Sequence, residues 1–174
     1  MQALQRAQLE LIRLVIETLH AAEIRAWLFG GWGLDARIGR ITREHGDVEF
    51  WVDRSDGDRS QETVVHLGAT VLMTQPPEES CAFVWKDVPF STAYFDRQAD
   101  GTFTIQGRWS DWVFPAGSFG DDLGTLEGST VPTMSAAGML AMKEQYPRLR
   151  NGSPLRPKDI TDIDALRDLI ARHG

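Results

Sequence analysis

The sequence predicts an α+β fold, and three features of the chain point to it. A long amphipathic segment opens the chain, short β-prone runs divided by turn residues fill its middle, and two helical segments close it. Helix, strand, helix and strand are followed by a meander and then by helices. That order lacks the regular alternation of a doubly wound sheet.

From Gln2 to Ala22 an apolar stripe runs through Leu4, Ala7, Leu11, Val15, Leu19 and Ala22, at spacings of three and four, uninterrupted by proline or glycine. This predicts an amphipathic helix. Ile24–Phe29 is a short apolar run ending at Gly30, expected as a strand, and Gly33–Ile38 has helical composition and stops at Gly39. Thr42–Gly46 is a polar connection to a second strand, Asp47–Val52. Asp53–Asp58 reads as an acidic loop, and Gln61–Leu67 as a helix ending near Gly68.

Thr70–Met73, Cys81–Lys86, Phe90–Phe95 and Thr102–Ile105 are β-prone, separated by Gln75-Pro76-Pro77, by Asp87-Val88-Pro89 and by the hairpin-like Asp96–Gly101. Trp109–Gly128 reads as irregular. Met134–Tyr146 is expected as a helix capped by Thr133 or Ser135, Asn151–Pro154 as a turn, and Ile160–Ala171 as the last helix, with Asp159 or Thr161 near its start. The expected organisation is one domain over 1–174, with a sheet core in 1–107 and an irregular segment plus helices in 108–174.

The chain has 174 residues, 42% apolar and 25% charged, as in an ordinary globular protein able to bury a core. Its net charge of −7 argues against a nucleic-acid partner, which calls for a basic surface. A single cysteine, Cys81, excludes an internal disulfide and fits a reducing compartment. It reads as a small buried side chain. With no signal-like opening and no apolar run of membrane-spanning length, the expected location is cytoplasmic, with no membrane partner.

Chemistry concentrates in Leu28–Val52. Gly30-Gly31 removes side chains where a backbone must approach something closely. Asp47-x-Glu49 places two carboxylates on one face of a strand, with Val48 and Phe50 on the other. Paired carboxylates repel, and a hard divalent cation such as Mg²⁺ relieves them. The local reading is an anion cradle opposite a Mg²⁺ site.

These residues resemble a known family. Gly30-Gly31-Trp32-Gly33-Leu34-Asp35, Gly39-Arg40 and Thr42-Arg43-Glu44-His45-Gly46-Asp47-Val48-Glu49 are similar to the core pattern of the antibiotic-inactivating nucleotidyltransferases, the lincosamide and aminoglycoside 2''-nucleotidyltransferases. The likeness extends to Gly124–Ser135, with Gly128 and Val131-Pro132, and to Lys158–Ile163. The resemblance implies a polymerase-β-like fold, a mixed sheet flanked by helices with a helical C-terminal part. It further implies Asp47 and Glu49 as catalytic metal ligands for Mg²⁺ and a triphosphate, with ATP the expected donor, beside Gly30 and Gly31. A hydroxyl of a small molecule, plausibly an aminoglycoside- or lincosamide-like antibiotic, then attacks the α-phosphorus and pyrophosphate leaves. Such transfer needs chiefly positioning and charge neutralisation.

The chain departs from the family at one point. Aligning Gly101 with the family's turn glycine puts Ser91 where the third carboxylate stands, and only Asp87 and Asp96 flank that strand. The alternative function is therefore a catalytically impaired binding protein of this fold. An antitoxin-type partner protein is a third reading that no residue favours.

The remaining candidates carry open alternatives. Arg43 and His45 either reach a phosphate or base or brace their loop, and Lys143 either points at the triphosphate or lies on a solvated face. Asp35 and Lys158 are expected to be structural, and His45 lacks partners at zinc-ligand spacing. Trp109 and Trp112 either wall an acceptor pocket or pack in the core. Glu78-Glu79 is a solvated pair, a general base or an ammonium-binding site. Nothing in the sequence sets the oligomeric state.

Overall fold

The computed structural model describes residues 3–149 and 152–173; Gln2 and Asn151, at the ends of two expected elements, lie outside them. Helix α1 (Ala3–Ala21) leads into β1 (Ala26–Phe29), α2 (Gly30–Ile38) and β2 (Val48–Asp53). A 3-10 turn and α3 (Gly57–His66) precede β3 (Thr70–Leu72), β4 (Ser80–Trp85), β5 (Val88–Arg97) and β6 (Phe103–Thr104). Then come β7 (Val113–Phe114), β8 (Leu123–Leu126), β9 (Ser129–Pro132), α4 (Ala136–Leu149) and α5 (Pro157–His173).

The main sheet runs β1-β2-β5-β4-β3, with β6 and β7 added beyond β5, and it is mixed: β2 and β5 are parallel while their outer neighbours are antiparallel. The α+β expectation holds. Period-two alternation divides the sheet between two cores. One face sends Leu28, Val48, Phe50 and Phe90 against α1, whose Leu11, Val15 and Leu19 are fully buried. The other sends Trp27, Phe29, Trp51 and Phe95 against Phe114, Phe119, Met139 and Leu166 from the last third of the chain.

Several boundaries differ from expectation. Residues 109–128 hold β7 and most of the β8–β9 hairpin, runs too short to show a period. Glu127 and Gly128 both take positive φ, +48° and +80°, the geometry of a tight two-residue turn. Strand β5 starts at Val88 and includes Pro89, and its pairing with β2 begins only at Phe90. Helix α5 starts three residues early because Pro157 occupies its first turn, where a missing N–H costs nothing. Ser135 caps α4, its hydroxyl accepting from Gly138 N–H at 3.1 Å. Cys81 is half-buried, and its burial pushes the thiol pKa up. Among the described residues no helix is long and apolar enough to cross a membrane.

Candidate active site

The turn from β1 into α2 and the start of β2 lie side by side because β1 and β2 pair antiparallel, with Phe29 opposite Glu49. Gly30 has φ +64°, and a Cβ there would collide with the Glu49 carboxylate. A Cβ at Gly31 would run into His45 and Arg43. The paired glycine thus serves close approach, and what approaches includes the chain's own acid and its own loop. No side chain caps the N-terminus of α2, so its first peptide N–H groups give that end a positive field.

Between α2 and β2 the loop is braced from inside. Asp35 is fully buried and accepts from Thr42 N–H at 3.1 Å, from Thr42 Oγ1 at 2.5 Å and from His45 Nε2 at 2.6 Å. Arg43 Nη1 lies 2.7 Å from His45 Nδ1. Since a guanidinium can only donate, Nδ1 accepts and the imidazole proton is on Nε2, facing Asp35. Gln8 of α1 donates to the His45 carbonyl at 2.9 Å, and Trp32 packs against the ring. Asp35 is structural, as expected, and His45 braces the loop while also lining the cavity beside it.

Gly30, Gly31, Arg43, Asp47, Glu49 and Lys143 all line one cavity of about 200 Å³. Every residue singled out from sequence for phosphate or metal therefore faces the same space. Lys143 is not on a solvated face. It is buried, 2.8 Å from Asp162 and 3.7 Å from Asp159. Asp162 also holds Arg43 at 2.8 Å, and Asp159 holds Arg156 at 2.6 Å. Arg156 and Lys158 line the cavity too, although Lys158 was expected to be merely structural. Lys158 enters through the early start of α5; no sequence signal marked Arg156.

Glu49 is half-buried at the centre. Burial, and then the charge of Asp47, raise its pKa from 4.5 to about 7, against the opposing pull of Lys143, Lys158 and Arg156. Two carboxylates in mutual repulsion form a hard oxygen donor set suited to one divalent cation. Among the described residues no group of three or more His, Cys, Asp or Glu is arranged to hold a metal. In the β2–β5 register Ser91 lies directly beside Glu49. Asp87 is in the β4–β5 turn, and Asp96, five positions beyond Ser91, is engaged by Arg54 at 2.9 Å.

A second cavity, of about 410 Å³, adjoins the first; Glu49 and Tyr146 line both. Its floor is the sheet face of Trp51, Ser91 and Ala93 next to Glu49. Trp109 and Trp112 belong to its wall, and Trp112 is also buried in the core. Glu79 lines it as well but is not a solvated loop acid: it is buried and gripped by Arg108, which holds its carboxyl below the usual range.

The family model described as aminoglycoside-2''-adenylyltransferase matches residues 11–166. A 2''-aminoglycoside nucleotidyltransferase of Escherichia coli is 31% identical over 65 residues, a stretch covering 37% of this chain and 37% of that relative. In fold, the chain is similar to the antibiotic-resistance factor ANT(2'')-Ia in complex with adenylyl-2''-tobramycin, with a TM-score of 0.74 and 20% identity over 97% of this chain and 99% of that one. It is also similar to the lincosamide antibiotic adenylyltransferase LnuA bound to lincomycin, with a TM-score of 0.68 and 19% identity over 90% and 94% of the two chains. The mixed sheet flanked by helices that the resemblance implied is thus a fold shared with these solved nucleotidyltransferases. The family match takes in that turn, that strand and most of the chain besides, and this protein belongs to the aminoglycoside-2''-adenylyltransferase family.

Proposed function

We propose that this chain is a Mg²⁺-dependent nucleotidyltransferase that moves a nucleoside monophosphate from an NTP, with ATP the expected donor, to a hydroxyl of a small antibiotic-like molecule. One observation carries the reading. A carboxylate pair, an uncapped helix N-terminus and a cluster of cations converge on one small cavity that opens at Glu49 into a larger, aromatic-walled one. Asp47 and Glu49 would hold Mg²⁺, which supplies charge neutralisation for the phosphates when bound. The N–H groups at Gly30 and Gly31 receive phosphate oxygens, and Lys143 balances the charge that gathers as pyrophosphate leaves. Arg43 supports the same end, positioned by Asp162 and His45.

The larger cavity presents the acceptor hydroxyl towards the α-phosphorus. Its oxygen forms the new P–O bond, the bond to pyrophosphate breaks, and the hydroxyl proton leaves to solvent through the open cavity, since Glu49 is committed to Mg²⁺ and its neighbour Ser91 is no base. Glu79 is a poor base in this arrangement, since Arg108 stabilises its ionised form.

A second reading rests on Ser91. With a hydroxyl beside Glu49 where the family carries a carboxylate, the site would bind Mg²⁺ and nucleotide without turnover. Pyrophosphate release from each NTP across a panel of hydroxylated acceptors, paired with calorimetry using Mg²⁺ and a non-hydrolysable ATP analogue, separates the two. Release supports transfer, binding without release supports the second reading, and absence of both overturns both.

A further inference from the structure

Arg43, Lys143, Arg156 and Lys158 line the smaller cavity, and the protein itself uses these cations to different degrees. A guanidinium carries five N–H donors in a fixed plane, so what it has left for a ligand can be counted. Arg43 spends both terminal nitrogens on the chain. Nη1 donates to His45 Nδ1 at 2.7 Å, and Nη2 donates to the Asp162 oxygens at 2.8 and 3.1 Å. Lys143 is buried between Asp159 and Asp162. Both lend the cavity positive charge, but Arg43 is a brace for its loop rather than a free grip.

Arg156 is held differently. Its Nε and Nη2 donate side by side to the fully buried Asp159, at 2.6 and 2.9 Å. The guanidinium also lies over the Tyr146 ring, with Cζ 5.9 Å from the centroid. One edge and one face of the plane are thereby fixed. The Nη1–Nη2 edge is not, because among the described residues Nη1 makes no hydrogen bond. The side chain is still 45% exposed. Such an edge meets two oxygens of one phosphate in parallel, and a guanidinium already held in place loses little freedom on binding. Its charge is also among those that oppose the rise of the Glu49 pKa, so Arg156 lies within electrostatic reach of the acid pair. Lys158 is exposed and adds a point charge to the same cavity, without the two-pronged geometry.

We propose that Arg156 grips the donor's phosphate chain with two parallel hydrogen bonds, its guanidinium oriented by Asp159 and Tyr146, and that Arg43 acts on the nucleotide only through its charge and its loop. The proposal rests on the nucleotide reading above and concerns binding, whether or not transfer follows.

The test is calorimetry on the full chain with Mg²⁺ and a non-hydrolysable ATP analogue, with thermal melting to confirm that each variant folds. Arg156→Gln is expected to weaken the analogue by at least about ten-fold, and Arg156→Lys, which keeps the charge and loses the fork, by about three-fold or more. Phenylglyoxal labelling of the unaltered chain, mapped by mass spectrometry, reads the same contact without a variant. With the analogue at about ten times its Kd, modification of Arg156 is expected to slow about ten-fold, while Arg43 reacts slowly with or without it. A folded Arg156→Gln protein that binds the analogue as tightly as the unaltered chain overturns the proposal. So does labelling of Arg156 that a bound analogue leaves unchanged. If Arg156→Gln does not fold, Arg156→Lys and the labelling decide. An unaltered chain that binds no analogue defeats the nucleotide reading and this proposal with it, whereas binding that persists undiminished in Arg156→Gln defeats this proposal alone.

Discussion

At Glu49 stability and chemistry pull in opposite directions. Burial, reinforced by Asp47, raises its pKa to about 7, so the ionised form is disfavoured in the fold. The sign follows from linkage: relative to the unfolded chain, stability falls as pH rises from the ordinary carboxylate range to about 7 and stays lowered above it. In EDTA at pH 8, Glu49→Gln is therefore expected to raise the melting temperature, by a gain on the order of 2 kcal/mol that shrinks towards pH 5. Mg²⁺ is expected to stabilise the unaltered protein and not the variant; equal melting of the two at pH 8 would contradict this. Ser91 is the complementary position. Ser91→Asp adds a third acid beside Glu49, so it is expected to lower the melting temperature in EDTA and to tighten Mg²⁺ binding by calorimetry. Gly31→Ala tests the close approach of the loop, and the collision with His45 and Arg43 is expected to cost about 1–3 kcal/mol in urea unfolding.

Among the elements, α4 and α5 decide how the cations are held. Lys143 projects from α4, and the carboxylates that fix it, Asp159 and Asp162, lie on the first turns of α5. Asp162 also restrains Arg43 from the α2–β2 loop, so one helix orients cations from two other segments. Asp162→Asn removes the closer of the two carboxylates that hold the buried ammonium and leaves the longer contact to Asp159. It is expected to destabilise by about 3 kcal/mol and to raise the KM for nucleotide. Arg13→Ala, which removes an exposed pair with Glu17, should change stability by less than about 0.5 kcal/mol. Equal effects of the two substitutions would show that the α4–α5 pairing is not structural. The sequence marked both helices by apolar spacing but not this role, because charges that meet across helices leave no local period.

Across the whole molecule, the sheet face beside the site is completed by the last third of the chain. Trp27, Phe29, Trp51 and Phe95 are covered by Phe114, Phe119 and Met139, with Phe119 stacked on Phe95 at 3.9 Å. A fragment of residues 1–107 is therefore expected to lack a cooperative unfolding transition and to bind a hydrophobic dye, whereas a sharp transition would make 1–107 an independent unit. The sequence by itself determined the α+β order, the family resemblance, the metal-binding candidates and the absence of a third acid at Ser91. Each of these is written in short-range spacing: period two on a strand, three to four on a helix, and fixed offsets within the glycine and acid motifs. Only the tertiary structure decided that Lys143 is buried and paired, that Arg156 and Lys158 line the smaller cavity with Asp47 and Glu49, and that Arg108 occupies Glu79. The ion pairs behind those outcomes join residues 16 to 119 positions apart in sequence within a few ångströms, and pairing at that range is settled by packing and desolvation rather than by any local pattern.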